Sequence, residues 1–262
     1  MNYQNLLDAH AKYGTNKNDI ISNVGYENIL EDVVIAPWWS HTIFNGFNVR
    51  VEQNQKNNII YNIYGDNFQF TFLELKAAGA PQMIEDILPL GLTNCKRILF
   101  IGSAGSLTKE LKIGDLVIPN YSLCGDGASR YLNPNLEDEF LKKEYPNGNL
   151  TANLKQTMDK INIDYKSTIN FSIDTIFAQF PHIDFIKELG AQTIEMETAC
   201  FFKCCNILNL ESSAIFIISD EILTKKSLFS GRSEEDKKHR HYIRNNVLPN
   251  IIIKLFSKTN IL

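Results

Sequence analysis

Three short polar segments lie where apolar, strand-like stretches of the sequence end: Gly102–Gly105, Glu195–Glu197 and Ser219-Asp220. The first, Gly-Ser-Ala-Gly, combines two glycines with the Ser103 hydroxyl, so that backbone N–H groups there could cradle an anion or a hydroxyl group. Tight strand–turn–helix junctions use glycines in the same way, and the motif alone leaves both interpretations open. Its glycine spacing matches neither a dinucleotide fingerprint nor a Walker loop.

The second segment places two carboxylates, Glu195 and Glu197, on either side of Met196. Apolar neighbours such as Ile194 and Phe201 indicate that this strand-to-helix junction is buried. Unpaired buried carboxylates are costly, which favours a functional role over a solvated edge. A carboxylate is suited to bind the vicinal hydroxyls of a sugar, and Met196 could pack on the sugar face.

The third segment ends in Asp220, which directly follows a buried apolar strand and precedes Glu221. A partly desolvated carboxyl group beside a second acid is expected to have a raised pKa. Such a group is a candidate general acid. The competing interpretation is a helix N-cap, a position that aspartate also favours.

The elements that must position these segments are predicted from apolar periodicity and turn residues. Strands are expected over 32–36, 48–52, 58–65, 69–75, 97–101, 115–119, 167–173, 191–195 and 213–219. Helices are expected over 3–13, 151–161 and 198–208, after Pro81, before Gly190, and from the Ser233 capping box onward with Tyr242 facing inward. This alternation indicates an α/β fold with a largely parallel sheet, whose sites gather at the carboxyl ends of strands. We expect one domain over 1–262, with 1–28 as an N-terminal extension.

Composition argues against several classes of protein. The chain carries 26 Lys and Arg against 30 Asp and Glu, a net charge of −4, and only six of these cations are arginines. So few arginines make a poor nucleic-acid binder. No apolar stretch approaches the roughly 20 residues of a membrane span, and residues 1–5 show neither the basic region nor the apolar segment expected of a secretory signal. We therefore expect a cytoplasmic protein, with neither nucleic acid nor membrane as a partner.

The cysteines do not suggest a metal centre. Five are present, three of them within 200–205 in a predicted helix that has no histidine nearby. Zinc sites need a second ligand pair at a suitable spacing, and the sequence offers none. Buried thiols in a reducing compartment are the expected state, and no metal site is predicted.

Three ordered motifs resemble the nucleoside phosphorylase family, which includes purine nucleoside and uridine phosphorylases and the methylthioadenosine/adenosylhomocysteine nucleosidases. They are FIGSAGSLTKELKIGDLVIP over 100–119, GAQTIEMETA over 190–199 and IISD over 217–220. The resemblance implies a three-layer α/β/α fold around a central mixed, barrel-like sheet. It also implies a homo-oligomer, dimeric or hexameric, that cleaves the bond between a ribosyl C1′ and a base.

The resemblance also implies roles for individual residues. Glu197 matches the glutamate that binds the ribose 2′- and 3′-hydroxyls, and Met196 matches the methionine beneath the ribose. Ser103, next to Gly102, matches a residue at the nucleophile or phosphate position. With Glu195 beside them, these residues form the predicted sugar and phosphate subsites.

Two further matches concern the base. Asp220 matches the aspartate that protonates or hydrogen-bonds purine N7, and uridine-specific members lack it. Phe177 lies where the family stacks an aromatic side chain or main chain on the base, with its register against Ile176 left open. Protonation of the leaving base stabilises charge that develops only in the transition state, so the resemblance favours a purine-type nucleoside as the substrate.

The chain departs from the family where the nucleophile is handled. Phosphorylases carry a Pro-Gly-Asp-Pro-x-Arg loop, but residues 36–41 here are Ala-Pro-Trp-Trp-Ser-His. Phe100 stands where they place a second arginine, and Arg97 lies three positions earlier, on the opposite face of a strand. The glutamate that activates water in the nucleosidases is absent from 36–41 as well. Trp38-Trp39 could line the site, although a core or interface role is the preferred interpretation.

These observations leave three hypotheses. The first is phosphorolysis of a purine-type nucleoside, with inorganic phosphate as the co-substrate and no other cofactor; it is slightly preferred. The second is hydrolysis by the same fold, and the third is a non-catalytic relative that binds nucleosides. Lys76 and Arg50 are candidate phosphate ligands, Arg232 is predicted to reach Asp220, and 223–231 is predicted to be a mobile lid.

Overall fold

A computed structural model describes residues 1–258. The strands are β1 (Asp32–Pro37), β2 (Arg50–Gln53), β3 (Ile60–Tyr64), β4 (Gln69–Leu75), β5 (Arg97–Ser106), β6 (Leu116–Gly125), β7 (Lys143–Glu144), β8 (Lys166–Ile173), β9 (Thr193–Glu195) and β10 (Glu211–Glu221). The helices are α1 (Tyr3–Lys12), α2 (Lys17–Val24), α3 (Ala80–Ile87), α4 (Leu150–Lys160), α5 (Ile183–Glu188), α6 (Thr198–Leu208), α7 (Glu234–Tyr242) and α8 (Leu248–Phe256). A π-helical turn, Ile243–Val247, joins α7 to α8.

Strand β5 is the centre of a mixed sheet that closes on itself. Around the closed part the order is β5-β10-β6-β8-β9, and β9 returns to β5. Strands β1, β4, β3 and β2 continue from β5 as an open extension. Closure leaves few free sheet edges at the centre of the molecule. The predicted α/β fold with a barrel-like sheet is confirmed.

Apolar cores cover both faces of this sheet. Along β5, Ile98 and Phe100 pack with α3 and α6, whereas Leu99 and Ile101 pack with α4 and α8. A strand buried on both faces is a continuous apolar run rather than an alternating one, as in this stretch of the sequence. The two helical layers on either side of the sheet give the predicted three-layer arrangement.

One edge of β5 changes partner along its length, and this change creates an opening. Residues 97–100 pair with β1, and Gly105 and Ser106 pair with β9, while the other edge pairs with β10 throughout. Between Phe100 and Gly105 this edge has no partner strand among residues 1–258. The Trp38 N–H donates to the Leu75 carbonyl on the β4 side. Successive N–H groups alternate sides along a strand, so Pro37, which has no N–H, faces β5 and the ladder ends there.

The segment Gly102–Gly105 does not form the turn that its glycines suggested. It continues β5 and pairs with β10 from Phe216 opposite Gly102 to Glu221 opposite Ser106, with a one-residue register shift between Ile218 and Asp220. Neither glycine has a positive φ. Gly105 is needed for close approach instead, because a Cβ there would lie 3.0 Å from Asp220 Oδ2 and 3.2 Å from Ile194 Cγ2.

Most predicted elements are confirmed within a few residues, and 198–208 matches α6 at both ends. The expectation for Tyr242 is wrong, because its side chain is 57% exposed. The five cysteines are free and buried, as expected. In the N-terminal region, Tyr26 packs into the core and the Tyr3 hydroxyl donates to the Leu88 carbonyl. No helix within residues 1–258 is long and apolar enough to cross a membrane.

Phe201 tests how far this core determines stability. Its ring is fully buried on α6 and lies 5.4 Å, centroid to centroid, from both Phe100 and Phe202. We expect Phe201→Ala to lower the free energy of unfolding by about 3–5 kcal/mol, measured by urea titration. Phe177→Ala is the matched control: this side chain is 85% exposed, so a change below about 0.5 kcal/mol is expected. Equal effects of the two substitutions on the free energy of unfolding would contradict the placement of Phe201 in the core.

Candidate active site

The opening beside β5 contains a cavity of about 260 Å³. All three polar segments singled out from the sequence line it: Gly102, Ser103 and Gly105 from β5, Glu195–Glu197 from the β9–α6 junction, and Ser219 and Asp220 from β10. They converge because β5, β9 and β10 are neighbours in the closed part of the sheet. A mostly apolar cavity with a few convergent polar groups is the expected form of a small-molecule site.

Glu195 is fully engaged by the protein. Its Oε1 accepts hydrogen bonds from Asn170 Nδ2 (2.6 Å) and Ser172 Oγ (2.7 Å), and its Oε2 accepts from the backbone N–H groups of Glu197 (2.8 Å) and Thr198 (2.9 Å). With four donors in place, this carboxylate fixes the start of α6. Although it borders the cavity, Glu195 is better suited to position Glu197 than to bind a ligand.

Glu197 is buried but much less satisfied. Its Oε1 accepts a hydrogen bond from the Gly79 N–H at 2.5 Å, whereas Glu195 has four such donors. The carboxylate borders the cavity and lies 6% exposed at the N-terminal end of α6. A buried acceptor with unused capacity is suited to bind hydroxyl groups of a ligand.

The two glutamates influence each other's protonation. Burial raises the pKa of Glu197, and the neighbouring charge of Glu195 raises it further. Burial also raises the pKa of Glu195, against the opposing effect of its hydrogen-bond donors. The pair therefore binds protons more tightly in the folded chain than in the unfolded chain.

Asp220 lies in β10 rather than at a helix start, so the N-cap interpretation is wrong. Its Oδ1 accepts a hydrogen bond from Ser219 Oγ at 2.6 Å, and its side chain is 5% exposed at the cavity. Burial raises the pKa of Asp220, while Ser219 and the charges of Arg232 and Arg240 partly oppose the rise. A carboxyl group with a raised pKa can donate a proton near neutral pH.

Arg240 is the cation that sequence reasoning missed. From α7 its Nη2 donates to Ser103 Oγ at 2.8 Å, although the two residues are 137 positions apart. Its Nε is buried and has no hydrogen-bond partner among residues 1–258. A hydroxyl next to a guanidinium forms a ready anion site, because charge-assisted hydrogen bonds to a phosphate are strong.

Two further arginines flank Arg240. Together with Arg232 and Arg244 it borders a second, smaller cavity of about 200 Å³. Within residues 1–258, none of the three lies within 4 Å of a carboxylate. Burial, Arg244 and Arg232 all lower the pKa of Arg240, which means that an anion would relieve the repulsion among them. A signal was present in the sequence, since three of the six arginines fall within 232–244.

The other sequence-predicted residues have mixed outcomes. Arg232 does not form the predicted contact with Asp220: its Nη1 lies 3.5 Å from the carbonyl of the adjacent Ser219, and it acts on Asp220 through its charge alone. Lys76 forms an ion pair with Glu74 at 3.3 Å and does not border the cavity. Arg50 is exposed on the outer strand β2, where it pairs with Glu52.

The base-stacking candidate Phe177 is on the surface, 85% exposed, and does not border the cavity. Ile176 and Gln179 do border it, which favours Ile176 of the two registers that the sequence left open. Met196 lies between the two glutamates, also at the cavity. Both tryptophans border the cavity, but they differ in burial: Trp39 is 7% exposed and Trp38 is 70% exposed.

Fold and site together define an α/β enzyme built on a closed mixed barrel, with carboxyl groups and a hydroxyl–guanidinium pair facing one cavity. The chain belongs to the Phosphorylase superfamily, whose family model matches residues 77–246, more than half of the chain. Members are nucleoside phosphorylases or nucleosidases, which cleave glycosidic bonds. The resemblance seen in the sequence motifs is confirmed.

Individual relatives agree with this assignment. The chain is 28% identical over 172 residues to the 5′-methylthioadenosine/S-adenosylhomocysteine nucleosidase of Buchnera aphidicola subsp. Acyrthosiphon pisum (strain APS), covering 62% of this chain and 72% of the relative. The fold of this chain is similar to that of uridine phosphorylase from Vibrio fischeri ES114, with a TM-score of 0.71 and 16% identity over 87% of this chain and 90% of the other. Purine nucleoside phosphorylase from Toxoplasma gondii is similar too (TM-score 0.71, 16% identity, 88% and 92%).

The buried glutamate pair leads to a pH prediction. Because the folded chain holds these protons more tightly, the free energy of unfolding falls as pH rises above the ordinary glutamate pKa of about 4.3. Glu197→Gln keeps the acceptor for the Gly79 N–H and removes the buried charge. We expect this variant to gain stability relative to the wild type between pH 5 and pH 8, measured by urea unfolding.

Glu195→Gln is the contrasting variant. Each oxygen of Glu195 now accepts two hydrogen bonds, and the amide NH2 of glutamine cannot accept the two that it would face. We therefore expect the free energy of unfolding to fall by about 1–3 kcal/mol at both pH 5 and pH 8. If the wild-type and Glu197→Gln stabilities run parallel from pH 5 to pH 8, the buried-pair assignment fails.

Proposed function

We propose that this enzyme cleaves the N-glycosidic bond of a purine-type nucleoside by phosphorolysis, with inorganic phosphate as the second substrate. The observation that carries this proposal is the Arg240–Ser103 pair at the cavity. Phosphate needs fixed cationic donors, and the sequence motifs alone offered none. Arg240 supplies one from the C-terminal helix, and Arg232 and Arg244 add positive charge behind it.

The carboxyl groups at the cavity have different roles in substrate binding and catalysis. Glu197 accepts hydrogen bonds from the ribose 2′- and 3′-hydroxyls, and Glu195 holds the segment that carries it. Asp220 in its protonated form donates to N7 of the purine. Arg240 and Ser103 hold phosphate against C1′.

The reaction transfers the ribosyl group from the base to phosphate. The C1′–N9 bond breaks and its electron pair goes to the base, while a phosphate oxygen forms a bond to C1′. The proton from Asp220 neutralises the charge that develops on the leaving base, an interaction realised only in the transition state. The products are the free purine and ribose 1-phosphate or its 5′-substituted analogue.

Hydrolysis is the alternative, and the name of the Buchnera relative favours it. Attack by water needs a base close to C1′. Among the cavity-lining residues of 1–258, the carboxyl groups are Glu195, Glu197 and Asp220, and each already has another task in the proposal. Segment 36–41 brings Trp38 and Trp39 to the cavity and no acid, which supports phosphate over water as the nucleophile.

Phosphate dependence tests the nucleophile. We expect base release from adenosine, inosine, guanosine or methylthioadenosine to require phosphate. Arg240→Gln should raise the KM for phosphate about 10- to 100-fold, the loss expected for one charge-assisted contact. Lys238→Gln is the matched control, with the same charge change at an exposed position of the same helix, and should leave KM unchanged. Release of base without phosphate would identify a hydrolase, and binding without release would identify a non-catalytic relative.

Asp220→Asn tests the general acid. We expect kcat on a purine nucleoside to fall about 10²- to 10⁴-fold, because the leaving base is no longer protonated. A riboside with a nitrophenolate leaving group needs no such proton, so its cleavage should fall far less. Full activity of the variant on purine nucleosides would show that the acid lies elsewhere.

A further inference from the structure

Trp38 has an unusual backbone conformation. Its φ is +61°, in the left-handed region that suits glycine and disfavours a bulky side chain. The Trp38 N–H donates to the Leu75 carbonyl at 2.9 Å, and this hydrogen bond fixes the conformation directly after β1. Strain of this kind persists only where the surrounding structure imposes it, and it often marks a functional site.

Core packing does not account for the strain. Trp38 is 70% exposed, whereas the adjacent Trp39 is 7% exposed and packs in the core. The left-handed turn instead directs the Trp38 side chain to the rim of the cavity beside β5. A large aromatic group is therefore held next to the site and mostly uncovered.

The strand register locates Trp38 relative to the reacting groups. Ile35 of β1 lies opposite Phe100 of β5, the last pair of that ladder, and Trp38 follows three residues later at the cavity that Ser103 also borders. Strand β10, which carries Asp220, pairs with the other edge of β5. Neighbouring strands are about 4.8 Å apart, so β1, which Trp38 directly follows, and β10 are separated by roughly two strand spacings.

The sugar end of the cavity lies on the same side as Trp38. Glu197 is hydrogen-bonded to the N–H of Gly79, which closely follows β4, and β4 is the neighbour of β1. Apolar Ala78 and Leu228 also border the cavity. If Glu197 binds the ribose, as the proposed function has it, an indole at this place is closer to the sugar than to the base.

We propose that Trp38 is a substrate-contacting residue whose indole packs on the C–H face of the ribose and covers it from solvent. The role rests on the proposed nucleoside substrate. An indole offers roughly 150–250 Å² of surface for such a contact, and covering the sugar would also exclude water from C1′. The indole is exposed in the free enzyme, and the bound substrate would cover it.

Fluorescence tests the contact without any chemistry. The chain contains two tryptophans, so Trp39→Phe leaves Trp38 as the single indole. A purine-like C-nucleoside, whose sugar–base bond cannot be cleaved, is the probe. We expect its binding to protect Trp38 from acrylamide quenching and to shift the emission to shorter wavelength. Trp38→Phe keeps Trp39, which also borders the cavity but is only 7% exposed and so is already protected from acrylamide; this control should show a much smaller change in quenching.

Kinetic and stability measurements on Trp38 variants distinguish a contact with the substrate from backbone strain at residue 38. Trp38→Ala and Trp38→Gly should each raise the nucleoside KM about tenfold with kcat changed less than about threefold, and Trp38→Phe should recover most of the affinity. Glycine adopts the left-handed conformation freely, so Trp38→Gly should unfold at a higher urea concentration than Trp38→Ala. A purely structural role would not move KM in this pattern.

The outcomes distinguish this proposal from the proposed function. Normal base release with no fluorescence response and an unchanged KM in the Ala and Gly variants would overturn the role of Trp38 and leave the function standing. A fluorescence response to the C-nucleoside without base release by the wild type would support the contact and overturn the function. Absence of both would overturn both.

Discussion

The site depends on one constraint: strand β5 exchanges β1 for β9 along a single edge. Pro37 lacks the N–H that would continue the ladder, and Gly105 lets Asp220 approach closely where β9 joins. Between them, Gly102 and Ser103 present an edge that no strand covers among residues 1–258. Because β1 pairs with β5 before the gap and β9 pairs with it afterwards, paired strands border the gap on both sides.

The polar groups at the gap differ in how far the protein satisfies them. Glu195 has a full set of donors and holds the start of α6, while Glu197 and the Nε of Arg240 keep unused hydrogen-bonding capacity. Buried polar groups without partners are costly in a folded chain. Their persistence here, together with the left-handed Trp38, is consistent with a site that a ligand completes.

Much of the fold could be predicted because it follows local patterns. Apolar runs located the strands, and helical spacing located α6 to the residue. The glycines of Gly102–Gly105 misled the prediction, because a glycine permits a turn but also permits close packing, and β10 pairing decided between the two. Phe177 and Lys76 were placed wrongly for a related reason: a one-residue shift in a loop, or a nearby acid such as Glu74, redirects a side chain.

The sequence by itself determined the family, through three motifs of contiguous residues, and the resemblance to that family implied the barrel-like fold. The same motifs singled out Glu197 and Asp220 as candidate site residues, because both directly follow the ends of predicted strands. Only the tertiary structure decided that Glu195 is already satisfied, that Trp38 is uncovered, and that Arg240 reaches Ser103. That last contact joins residues 137 positions apart and depends on how α7 docks beside β5 and β10. Such docking is set by the packing of many residues together, so no local pattern in the chain could specify it.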